Sequence, residues 1–123
     1  MKVSELVDGD LDYWVARARR IAVTIENGVA HIERVRMGVL DGDPIHAFVR
    51  RGPYRPSTDW MDGGPLLEEF DVDVTRVYRG EGWGGFFNSI PYECGDPDAT
   101  GPTPLIAVCR AVVMSEFGDE VPA

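Results

Sequence analysis

Apolar positions recur every three or four residues at Leu11, Trp14, Val15, Ala18 and Ala22, the period of one buried helix face. Asp8-Gly9-Asp10 sets acid at the positive end of the helix dipole, so a first helix is predicted over about residues 10 to 21. Arg17, Arg19 and Arg20 lie off the apolar face near its C-terminal end, where a solvated cationic cluster suits the dipole. The pattern then changes. Val23-Thr24-Ile25-Glu26 and Val29-Ala30-His31-Ile32 are β-branched runs joined by Asn27-Gly28, the dipeptide that accepts positive φ in a type I′ turn, and they predict a hairpin. A further hairpin or loop runs through Val35 to Met37, turns at Asp41-Gly42-Asp43-Pro44 and continues over Ile45 to Val49.

Beyond the centre of the chain, Leu66 to Phe70 reads as a short helix, and Val72 to Tyr78 alternates like a half-buried strand. Gly80 to Asn88 lacks the Lys-Ser/Thr ending of a phosphate loop and is read as a turn feeding an aromatic strand. Ile90 to Thr100 is expected to be an exposed loop. Gly101-Pro102-Thr103-Pro104 then supplies a cap and an N1 proline for a last helix, with Leu105, Val108, Cys109 and Val112 as its buried stripe and Gly118 as its stop. Trp14, Val15 and Ala18 are expected to pack against Leu105, Cys109 and Val112. The order of elements predicts a single α+β domain spanning 1–123, an antiparallel sheet with about three helices packed on it.

Composition narrows the function classes. A chain of 123 residues with 44% hydrophobic and 27% charged residues can bury a core without disulfides or a metal. The net charge of -9 is unevenly placed: residues 1–55 hold 9 basic and 8 acidic residues, residues 56–123 hold 3 and 13. Broad nucleic-acid binding needs a dense basic face and is therefore not expected. No apolar run approaches membrane-spanning length and Met1 to Glu5 has no apolar signal core, so a cytosolic protein with no membrane contact is expected. Cys94 and Cys109 stand far apart without metal-ligand company and are read as reduced thiols, Cys109 as core packing.

Candidate chemistry concentrates in Tyr54 to Leu66. Ser57, Thr58 and Asp59 can bond a polar ligand or cap a helix, Trp60 offers a stacking face, and Gly63-Gly64-Pro65 reads as a tight helix start with free N–H groups. With the second helix start at Thr103, charge from Arg50, Arg51 or Arg55, and stacking from Trp14 or Trp60, these residues predict one concave site for a small anionic or nucleotide-like ligand. Ligand-binding candidates are thus Trp14, Arg55, Ser57, Thr58, Asp59, Trp60, Gly63, Gly64 and Thr103. Capping would satisfy the same groups without a ligand, and both readings stand. Neither His31 nor His46 sits in a nucleophile motif, and Asp59 with Asp62 falls short of a metal-ligand set, so no catalytic residue, metal or cofactor is predicted. The other expectations are a protein partner, met through the acidic surface and aromatics, and a twofold homodimer through an edge strand or aromatic patch.

Leu11 to Ala18, Tyr54 to Leu66, Gly101 to Ala107 and Ser115-Glu116-Phe117-Gly118 together resemble the NinX-like family of small phage and prophage proteins. The resemblance rests on those four pieces and does not extend to residues 23 to 49 or 76 to 98. It implies a phage-encoded accessory protein in a bacterial host cytoplasm, whose protein partner would be a host or phage protein, and transfers no catalytic residues.

Overall fold

The computed structural model describes residues 1–40, 42–77, 80, 82–87 and 96–122. After a 3-10 turn at Val3–Glu5, helix α1 spans Asp8–Ala18. Strands β1 (Val23–Glu26), β2 (Val29–Leu40) and β3 (Asp43–Pro53) follow, then two single-turn helices, α2 (Trp60–Gly63) and α3 (Leu66–Glu69). Strands β4 (Asp73–Arg76), β5 (Trp83–Phe86) and β6 (Ala99–Gly101) lead to the long helix α4 (Pro104–Phe117).

The α+β class holds, with the strands divided between two antiparallel sheets in the orders β1-β2-β3 and β4-β5-β6. Helix α1 packs on β1 and β2, α4 packs on β4, β5 and β6, and the two helices pack on each other between the sheets. The expected contact between chain ends is present: Val15, Ala18, Cys109 and Val112 share one core. Half-buried Trp14 meets Phe117 edge-on, with ring centroids 5.4 Å apart. Leu105 is buried but lies outside that continuous core, against Gly63.

Local chemistry explains the boundaries. Glu26 pairs with Val29 across Asn27-Gly28, and both turn residues have positive φ, 52° and 76°, the I′ geometry that the dipeptide predicts. Helix α1 stops earlier than predicted because Arg20 takes φ 60° and Ile21 N–H bonds back to the Ala16 carbonyl, closing the helix without glycine. Ala22 therefore falls outside the helix and is exposed. Gly9 meets the hairpin turn so closely that a Cβ there would lie 1.8 Å from the Gly28 carbonyl oxygen. Strands β2 and β3 are longer than predicted and hold a register shift between Met37 and Val39; Pro44 belongs to β3 rather than to the turn. Thr100, expected in a loop, lies in β6 paired with Gly84. Residues 90–95 of that loop, Cys94 among them, lie outside the described residues, as does Tyr78. Helix α4 begins and ends as predicted, with Thr103 Oγ1 accepting from Ile106 N–H at 3.2 Å and Gly118 at φ 81°. No helix among the described residues is long and apolar enough to cross a membrane.

Candidate functional site

The segment between β3 and α2 is fastened at three points. Tyr54 N–H donates to the Ala30 carbonyl at 2.8 Å, Arg55 N–H donates to Asp62 Oδ2 at 2.9 Å, and Ser57 N–H donates to Asp12 Oδ1 at 2.8 Å. The Arg55 carbonyl in turn accepts from Thr58 and Asp59, so the chain turns back on itself before α2. Gly63 closes the turn: a Cβ there would stand 2.3 Å from the Pro56 carbonyl oxygen and 2.7 Å from Leu105. This tight approach seats the loop on the first turn of α4.

Between them is a groove of about 270 Å³ lined by Ser57, Thr58, Trp60 and the start of α4 from Thr103 to Ile106. The two segments predicted to meet, 55 to 65 and 101 to 104, do adjoin. Trp60 is 54% exposed, whereas Ser57 is 2% exposed and its Oγ has no hydrogen-bond partner among the described residues. Below the groove, burial pushes the Asp12 carboxyl up to about 6. Its bond from Ser57 N–H opposes that rise, and so does the Ser57 hydroxyl, which lies near the carboxylate without reaching hydrogen-bond alignment. Burial, reinforced by the Asp12 charge, also raises the Cys109 thiol well above its ordinary range, which makes it an inert core residue.

A second cluster holds the loop from the other side. Tyr54 is buried with the guanidinium of Arg19 5.9 Å and that of Arg34 5.8 Å from its ring centroid, and its hydroxyl accepts from Arg19 Nη1 at 3.0 Å. Burial raises the Tyr54 phenol. Arg19 Nε lies 2.8 Å from Glu69 Oε2, a charge contact whose N–H is not aligned as a hydrogen bond. Burial lowers the Arg19 pKa, but Tyr54 and Glu69 outweigh it and the net change is upward. Arg19 is thus a bridge from α1 to α3 rather than a solvated helix end. Arg34 Nη2 donates both to the Pro53 carbonyl, at 3.0 Å, and to Asp62 Oδ1, at 2.9 Å.

Several predicted site residues take other roles. Asp59 Oδ1 accepts from Met61 N–H at 2.9 Å and caps α2. Gly63 and Gly64 do not offer free donors at a helix start: Gly63 ends α2, and their N–H groups bond to the Asp59 and Trp60 carbonyls. Thr103 lines the groove while capping α4. Trp14 meets Phe117 at the far end of α4, roughly 20 Å along a 14-residue helix from the groove. The Arg55 side chain is exposed and outside the groove lining, and Arg50 and Arg51 line a separate open concavity of about 460 Å³ with Arg34, Asp59 and Asp62. Asp12, Tyr54 and Asp62 were not among the predicted site residues. Asp12 carries a signal nonetheless, since it stands three and four residues before Val15 and Ala16, in phase with the buried face. Asp59 and Asp62 are spent on a cap and an ion pair, and among the described residues no three His, Cys, Asp or Glu side chains converge as for a metal.

No match was found among curated proteins. The Bacteriophage P22, NinX family model matches residues 2–116. That match takes in the groove, both carboxylates that fasten its loop, and the stretches 23 to 49 and 76 to 98 that the four sequence pieces leave out. The chain belongs to the NinX family of bacteriophage P22.

Proposed function

We propose that this phage protein acts in the host cytoplasm as a binding protein rather than a catalyst, and that its groove takes a nucleotide-like ligand by the base. The observation that carries the reading is the pairing, in one groove wall, of the exposed Trp60 with Ser57, whose buried hydroxyl has no hydrogen-bond partner among the described residues. A buried hydroxyl left unpaired costs on the order of 1–3 kcal/mol, which an acceptor on a bound ring edge returns. Trp60 supplies the stacking surface. At about 270 Å³ the groove is slightly below the roughly 300–1,000 Å³ usual for ligand pockets, room for one ring system with the rest of the molecule in solvent. Among the described residues no basic side chain lines it, so recognition rests on the ring and not on an anionic group. Titration with nucleosides and their monophosphates, followed through the Trp60 indole N–H signal, tests this. Nucleoside and monophosphate are expected to bind alike, and Ser57→Ala to weaken both by about tenfold. Absence of a saturable Trp60 shift with every nucleoside refutes it.

A protein partner is the second reading, favoured by Met61, which is 84% exposed next to Trp60. Met61→Asp would then abolish partner binding while leaving nucleoside binding intact.

A further inference from the structure

Arg110 lies midway along α4 and is only 8% exposed. Its Nε and Nη2 donate to the Leu6 carbonyl at 3.2 and 3.0 Å, and its Nη1 donates to the Thr100 carbonyl at 2.9 Å. A guanidinium carries five N–H donors, so these three bonds leave two without a partner among the described residues. Among the described residues no carboxylate ion-pairs with it. Buried charges are ordinarily paired, because desolvating an ion costs several kcal/mol that backbone carbonyls return only in part. Consistent with an uncompensated cation, burial lowers the Arg110 pKa with no opposing contribution from a neighbouring acid.

Arg110 lines a cavity of about 180 Å³ together with Ser4, Thr100, Met114 and Asp98. Asp98 Oδ2 accepts from Phe87 N–H at 2.9 Å, which fixes the carboxylate in place. None of these residues lines the groove beside Trp60, so the cavity is a separate feature of the fold. The two remaining donors, one on each terminal nitrogen of the planar guanidinium, suit the two oxygens of a carboxylate. The Asp98 carboxylate in the same lining disfavours a multiply charged anion and favours a cationic group on the ligand.

We propose that the cavity beside Arg110 holds a small molecule by its carboxylate, with zwitterionic amino acids favoured over plain acids because Asp98 meets their ammonium group. The carboxylate bonds to the free Arg110 donors, Ser4 adds a hydroxyl, and the apolar side of Met114 limits the size of what enters.

The test titrates the full isotope-labelled chain with glycine, acetate and inorganic phosphate and follows its backbone amide signals. Glycine is expected to give saturable shifts at Ser4, Thr100 and Met114, with acetate about tenfold weaker, the worth of one charge-assisted hydrogen bond, and phosphate weaker still. Asp98→Asn keeps an acceptor for Phe87 N–H and should bring glycine and acetate to equal affinity. Arg110→Lys, which keeps the charge but loses the fork, should weaken both. Saturable binding of neither glycine nor acetate to the unmodified chain overturns the proposal, as does acetate binding as tightly as glycine. Should Arg110→Lys fail to fold, the unmodified chain and Asp98→Asn still decide the matter.

Discussion

Asp12 makes this protein's stability fall as pH rises through the weakly acidic range. Its carboxyl is 3% exposed and titrates at about 6 when folded, against an ordinary 3.8. Between those two values the folded chain keeps a proton that the unfolded chain has released, so the folded state binds more protons and loses stability as pH rises. The contribution is fully present below the unfolded value, declines from about pH 4 to pH 6 and is gone above the folded value. At 1.36 kcal/mol per pH unit the rise converts to about 3 kcal/mol, a sizeable part of the roughly 5–15 kcal/mol that holds a domain folded. Other carboxylates titrate in the same window, and Asp12→Asn isolates this one because its amide oxygen can still accept from Ser57 N–H. Urea unfolding of both proteins, followed by circular dichroism at a series of pH values, measures the difference. The stability of the parent relative to Asp12→Asn should drop by about 3 kcal/mol between about pH 4 and pH 7.5. A difference that stays constant across that range, or that grows with pH, refutes the reasoning.

Three further outcomes follow from the loop around the groove. Gly63→Ala should cost about 1–3 kcal/mol in thermal or urea unfolding, because its methyl would press on the Pro56 carbonyl and Leu105. Asp59→Ala should cost about 1 kcal/mol of stability through the lost cap and leave nucleoside affinity unchanged, which a melting curve beside a titration will show. Asp62→Ala removes the acceptor of both Arg34 and Arg55 N–H; about 2 kcal/mol of stability should be lost, and nucleoside binding should weaken although Asp62 does not line the groove.

The fold was legible wherever one local rule decided the structure. Asn27-Gly28 specified its hairpin, and Thr103 with Pro104 and Gly118 specified both ends of α4. The missed elements depend on distant partners. Strand β6 is three residues whose only strand partner among the described residues is β5, and the sequence from Ala99 to Gly101 has no strand pattern of its own. The end of α1 was misplaced because Arg20 takes the left-handed conformation normally left to glycine. The carbonyl of Ala16 then has a partner, and the chain is turned toward β1.

The candidate site divides along the same line. Proximity of the two proline-bearing segments was predictable from their crowding of short polar groups, but the role of each group was not. Asp59 was the conspicuous carboxylate, yet its bond is a cap two residues from its target that needs only local geometry. The carboxylates that position the groove are Asp12, which reaches 45 residues along the chain to Ser57, and Asp62, which ties α2 to β2 through Arg34. Such ties depend on tertiary placement and leave only a faint trace in sequence, as at Asp12 on the apolar face of α1. Both carboxylates bond to groups that fix the loop's backbone path: Ser57 N–H by Asp12, Arg55 N–H by Asp62. With its N–H engaged by Asp12, Ser57 is held in the wall of the groove, its buried hydroxyl close to the same carboxylate.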